Sequence, residues 1–106
     1  MVRITVEYFF NPDTPESKNY MKIVLTPLMR EQMEEVEWII INIYNPQEKK
    51  KIEEYKLNAF PALVINKNRI LVGFKTQKDV KSVIQEEIEK EKKRRQTFKS
   101  SKPKLT

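Results

Sequence analysis

The chain of 106 residues has no cysteine, no histidine and a single glycine. Without cysteine it can form no disulfide, offer no thiolate nucleophile and supply no sulfur ligand to a metal. Without histidine it lacks the commonest metal ligand and the one side chain that ordinarily titrates near neutrality. Any catalysis would fall to hydroxyls, carboxylates, lysines or tyrosines, so the expectation is a protein that is not an enzyme and uses no cofactor and no metal. The acidic clusters Glu34-Glu35-Glu37 and Glu53-Glu54 alternate with nearby lysines and lack the ligand spacing of a cation loop. Long apolar runs are also missing. Hydrophobic residues come in short blocks, against the roughly 20 in a row that a membrane span needs. The first residues, Met-Val-Arg-Ile-Thr-Val, pass directly into a strand pattern and not into a signal peptide, which leads to the expectation of a cytoplasmic protein.

What the chain has in quantity is charge, unevenly placed. Lys and Arg number 21 against 15 Asp and Glu, a net of +6. Residues 90–106 carry +7 of this and residues 1–89 carry −1, so the basic isoelectric point near 9.5 belongs to the end of the chain. The division expected is a domain over 1–89 and a basic, partly disordered extension over 90–106. A charged fraction of 34%, rich in Lys and Glu, resembles thermophile composition.

Periodicity and punctuation order the elements. Arg3 to Phe10 (RITVEYFF) is β-branched and aromatic, with Ile4, Val6, Tyr8 and Phe10 on one face of a strand. Asn11-Pro12-Asp13-Thr14-Pro15 breaks it. Helical spacing follows at Tyr20, Val24 and Leu28, interleaved by Met21 and Leu25, and Pro27 must kink or interrupt that helix. Glu37 to Ile43 (EWIIINI) is apolar on both faces, as a strand covered by helices on each side should be. Asn45-Pro46-Gln47-Glu48 starts a helix ending near Lys56, with Asn45 as N-cap and Glu48 completing a capping box. Ala62 to Asn66 and Arg69 to Phe74 form a hairpin across Lys67-Asn68. Thr76 to Asp79 opens a last helix with an apolar stripe at Val80, Val83, Ile84 and Ile88.

This strand–helix–strand–helix–strand–strand–helix order resembles the minimal thioredoxin or glutaredoxin-like fold. Three segments carry the resemblance: Tyr8-Phe9-Phe10-Asn11-Pro12-Asp13-Thr14-Pro15-Glu16-Ser17, shaped like that family's first strand and active-site loop; Ala59-Phe60-Pro61-Ala62-Leu63-Val64-Ile65, like the segment with its cis-proline; and Val72-Gly73-Phe74, like the glycine-marked end of its last strand. The resemblance implies an α/β fold, βαβαββα, with a four-stranded mixed sheet of order 2-1-3-4 flanked by helices. It also implies that Thr14, Pro15, Glu16 and Ser17 form a vestigial active-site loop, with Thr14 at the attacking and Ser17 at the resolving cysteine position. A helix N-terminus lowers a thiol's pKa and so supplies thiolate; a hydroxyl titrates too high to profit, and no histidine is present to act as its base. Redox activity is lost.

Several uses of this fold stay open at this point. The loop reads as an ordinary helix start, with Thr14 or Asp13 capping and Pro15 in the first turn, or as a weak anion or peptide site. A glutathione-binding role with a catalytic hydroxyl is a further alternative, although a second helical domain for a substrate is lacking. Phe60 and Pro61 are the candidate peptide-binding residues, because the resembled family pairs extended peptides beside its cis-proline. The second strand falls at a sheet edge, long and apolar, which invites a homodimer. Lys92, Lys93, Arg94 and Arg95 are the candidate contacts to nucleic acid or another acidic partner; the other reading of this run is a solubilising end. The expected function is thus a redox-inactive, protein-binding or self-associating module, with a nucleic-acid-associated accessory protein as the alternative.

Overall fold

The computed structural model describes residues 2–31 and 34–105, with side chains described as far as Arg94. Strand β1 (Ile4–Phe10) is central, and both of its faces become covered: Ile4, Val6 and Tyr8 on one side, Glu7 and Phe9 on the other. It pairs in parallel with β2 (Val36–Asn42) and antiparallel with β3 (Ala62–Ile65), which in turn pairs antiparallel with β4 (Arg69–Val72). The sheet order is β2-β1-β3-β4, as the resemblance implies.

Between β1 and β2 the chain forms α1 (Pro15–Tyr20), a π-helical turn (Met21–Leu25) and α2 (Thr26–Glu31). Pro27 supplies the reason for the wide turn. In a regular α-helix its ring would meet the carbonyl of Ile23, and it has no N–H to donate. Widening the preceding turn relieves the collision. The Thr26 backbone N–H and hydroxyl both reach back to the Met21 carbonyl, the hydroxyl at 3.0 Å. The turn also shifts the buried stripe: the core takes Tyr20, Leu25 and Leu28, while Val24, expected at its centre, is only half-buried.

A short 3-10 turn (Pro46–Glu48) leads into α3 (Lys49–Glu54). Asn45 caps it, accepting from the Gln47 N–H at 3.1 Å. The reciprocal arm of the expected capping box is absent, since the Asn45 N–H donates instead to the Asn42 carbonyl. The β3–β4 turn is centred on Asn66 and Lys67, both at positive φ, one residue earlier than expected; asparagine tolerates the left-handed region better than most residues. Helix α4 (Gln77–Leu105) follows, its first turn capped by the Thr76 hydroxyl, which accepts from the Asp79 N–H at 3.1 Å. The boundary at residue 89 is not a break in this helix. The described backbone stays helical through Leu105. As far as Gln96 a run of good helix formers, mostly Glu, Lys and Arg, continues a helix already nucleated against the sheet; the helix from Thr97 on, which contains Pro103, has no such explanation in the sequence.

The core has two layers. On one face Ile4, Val6, Tyr8, Leu63 and Ile65 pack against Tyr20, Leu25 and Leu28, and against Val80, Val83, Ile84 and Ile88 of α4. On the other, Phe9, Ile41, Ala62 and Val64 are covered by Ile52, Tyr55, Leu57 and Phe60. The tyrosines of these layers give the fold a pH limit. Burial raises Tyr8 and Tyr20 to about 12, and burial, with the Glu7 carboxylate beside it, raises Tyr55 further. Each group's folded pKa lies above its unfolded value near 10, so each contributes stability that is complete below about pH 10 and is lost as the pH climbs through the folded value. Urea midpoints are therefore expected to fall steadily above about pH 10, with phenolate absorbance before unfolding limited to the one exposed tyrosine, Tyr44. Early, non-cooperative phenolate formation by more than one tyrosine would show the others to be accessible instead.

Candidate functional site

The C-terminal end of β1 gathers the residues singled out in the sequence. Ala62 pairs with Phe9, so Pro61 sits level with Phe10 and close to where the 11–17 loop departs. The Phe60-Pro61 peptide bond is cis. Pro61 is buried, and its carbonyl accepts from the Gly73 N–H at 2.8 Å.

Thr14 holds the N-cap position of α1 with extended dihedrals, and Pro15 follows in the first turn. The Thr14 side chain does not cap the helix. The loop is held instead from its own backbone and from Asn11, whose Oδ1 accepts from the Asp13 N–H at 2.9 Å and whose carbonyl accepts from the Thr14 N–H at 3.1 Å. The Ser17 N–H closes on the Thr14 carbonyl at 3.0 Å. Ser17 is fully buried, its hydroxyl has no hydrogen-bond partner among the described residues, and its carbonyl accepts from the Tyr8 hydroxyl at 2.9 Å. A half-exposed first position and a buried fourth position thus frame the loop. Glu16 and Pro15 are exposed between them. An open groove of about 710 Å³ runs alongside, lined by Phe10, Pro15, Asn19, Met21, Lys22 and Thr26.

Glu7 escapes sequence reasoning. It lies fully buried in mid-strand, on the α3 side of β1. Its Oε2 is 2.7 Å from Lys51 Nζ, and its Oε1 accepts from the Tyr55 hydroxyl at 2.8 Å. The hydrogen bond to Glu7 raises the Lys51 pKa. The available signal was a lone acid inside a strand, with Lys51 and Tyr55 four residues apart on one helix face. At the opposite end of the sheet Glu87, 1% exposed, ties the hairpin tip to α4. It accepts from the Asn66 and Asn68 amides, each at 3.3 Å, and lies 3.2 Å from Lys90. Burial alone would raise its pKa, but the Asn68, Lys90 and Asn66 donors outweigh that and hold it below the usual carboxylate range.

The basic run is dispersed. Consecutive helical residues turn by about 100° each, so Lys92, Lys93, Arg94 and Arg95 do not form a single face, although positions 92 and 95, three apart, are neighbours. Lys92 lies 3.8 Å from Glu35 and 3.9 Å from Glu89, and Arg94 donates to Glu91 at 2.8 Å. Lys93 is exposed, and the Arg95 side chain lies outside the described residues. Among the described residues no cluster of acids is arranged to hold a metal, and no helix is long and apolar enough to cross a membrane.

The two sheet edges differ. β4 is four residues long, begins with Arg69 paired to Glu86 at 2.9 Å, and runs out at Gly73. β2 is seven residues long, pairs with β1 in unbroken register, and has no strand partner on its outer side among the described residues. Its one charge is Glu37, and it contains no proline or lysine. Ile40 is 41% exposed, and Trp38 and Ile39 are half-buried.

No family model and no curated protein matches the chain. Solved structures do. It is similar to a thioredoxin from Thermus thermophilus, with a TM-score of 0.68 and 14% identity over 79% of this chain and 72% of that one. It is also similar to a structure described as a malarial protein, with a TM-score of 0.67 and 12% identity over 79% of this chain and 96% of that one. Likeness at these identities shows the fold: a thioredoxin-like fold, here built without cysteine.

Proposed function

We propose that this chain of thioredoxin-like fold is a redox-inactive protein-binding module that extends its sheet along the outer edge of β2. The contrast between the two edges carries the proposal. Proteins that must stay single blunt their edge strands with short length, charge, proline or a bulge. Each edge has one charge near its start, Arg69 or Glu37, and each exposes apolar side chains, Ile70 and Val72 on β4 and Ile40 on β2; the difference is length, four residues against seven in unbroken register. Main-chain pairing would supply affinity there, and the half-buried Trp38 and Ile39 with the exposed Ile40 would select apolar side chains. Pro61 is less favourable, because it is buried and its carbonyl is already engaged.

The test is a displayed library of short extended peptides, followed by amide chemical shifts of the isotope-labelled chain. Selected peptides are expected to alternate apolar residues and to shift Val36–Asn42. Shifts confined to Thr14–Ser17 and Phe60-Pro61, or none at all, would count against the edge. Salt separates this function from nucleic-acid association. Binding through Lys92–Arg95 should be lost between about 50 and 200 mM salt, while peptide capture at β2 should persist. Nucleic-acid binding abolished by the fourfold alanine variant at 92–95, with no peptide capture, would move the assignment to the basic helix.

A further inference from the structure

We infer that the strand taken up by β2 is the β2 of a second copy of this chain, antiparallel about a two-fold axis at Ile39, joining two sheets into one of eight strands. The inference rests on the edge-pairing function proposed above and names its partner.

The strand is complementary to itself in one direction only. Centred on Ile39, antiparallel pairing sets Val36 against Asn42, Glu37 against Ile41, and Trp38 against Ile40 of the other copy. Opposed residues then share a face of the sheet, because their numbers have the same parity. Trp38 and Ile40 both lie on the α4 side, where an aromatic beside a β-branched residue is a favourable cross-strand pair. That pairing would cover Ile40, among the exposed large hydrophobic residues of the chain. On the other face Ile39 meets its own copy, and Glu37 meets no like charge.

Charge argues for the same direction. Glu34 and Glu37 are exposed at the start of the strand, and Lys49 and Lys50 are exposed in the first turn of α3, the next helix after it. Antiparallel pairing brings the acids of each copy towards the lysines of the other. Parallel pairing in register would stack Glu37 on Glu37, which is destabilising. A two-fold pairing also closes on itself: it uses up both β2 edges and leaves only the short, charged β4 strands at the ends of the extended sheet.

The experiment uses the full chain. Sedimentation equilibrium is expected to give twice the 12.8 kDa chain mass, and Ile40→Lys to weaken the dimer at least tenfold while leaving the circular dichroism spectrum unchanged. Because the chain has no cysteine, Ile39→Cys should close a single disulfide between copies in air, whereas Ile70→Cys on β4 should not. Carbodiimide treatment of an equal mixture of ¹⁴N and ¹⁵N native chains provides a check that needs no variant. Mixed-isotope links from Glu34 or Glu37 to Lys49 or Lys50 are expected. A native chain that stays monomeric at hundreds of micromolar overturns the self-pairing; if library peptides still shift Val36–Asn42, the edge-binding function stands without it. A dimer that crosslinks at Ile70 and not at Ile39, or that gives no mixed-isotope links, overturns it equally.

Discussion

Introducing cysteine at both Thr14 and Ser17 is expected to turn a chain without thiols into a dithiol that closes on oxidation and reduces a protein disulfide. The geometry already favours closure. The Ser17 N–H meets the Thr14 carbonyl at 3.0 Å, a turn that holds the two Cα atoms within about 7 Å, which overlaps the range a disulfide spans. Position 14 is half-exposed at the N-cap of α1, and position 17 is buried in its first turn. A thiol at 14 would feel the helix N-terminus and ionise below the usual value near 8.5; one at 17 would be shielded. Thr14→Cys alone should therefore be alkylated faster than free cysteine, and Ser17→Cys alone more slowly. Only the double variant should lose 2 Da on oxidation and speed dithiothreitol-driven insulin precipitation, for which the native chain should equal the blank. Two thiols that stay free in oxidised buffer while the fold is intact would show the loop to be arranged differently from the redox loop it resembles.

Lys51→Met is expected to cost about 3 kcal/mol of stability at neutral pH, among the largest effects of any single change outside the apolar core. Removing one partner of a buried ion pair leaves the other charge uncompensated, at about 3–5 kcal/mol. The lower end applies because Lys51 is 37% exposed and water screens part of its charge. Glu7, at 1%, cannot reach water without opening the sheet. The double variant Glu7→Gln/Lys51→Met keeps an acceptor for the Tyr55 hydroxyl and removes the buried charge, so it should recover most of the loss. Urea unfolding of the two variants beside the native chain measures this directly. Equal losses in single and double variants would mean that packing, not charge, holds the α3 face.

How much of this was legible follows from the range over which each signal acts. Strand order and helix starts were readable because they are written locally: Asn45-Pro46 and Thr76 begin helices wherever they stand, and Pro61 between an aromatic and an apolar run marks the entry to β3. Pro27 announced a disruption, but not that the chain would widen by a residue and exchange Val24 for Leu25 in the core. That choice is made by the sheet beneath. The hairpin turn slipped by one residue because Asn66 and Asn68 are equal candidates for a left-handed position, and the carboxylates of Glu87 and Glu91, some twenty residues away, hold the observed arrangement in place. Glu7 was invisible as a buried charge because nothing near it in sequence names Lys51 or Tyr55. The candidate loop at 14–17 was located, but its hidden hydroxyl at Ser17 was not.

The π-helical turn has a consequence for ancestry. Each of its bonds spans five residues where an α-helix spans four, so α2 is one position out of phase with α1. Set against a relative whose helix is continuous, the chain has one residue too many between Met21 and Leu25. An ungapped alignment that matches Ser17 correctly must then misplace Leu28 by one, and an alignment anchored on Leu28 must misplace Ser17. A single gap inside those five residues reconciles both halves.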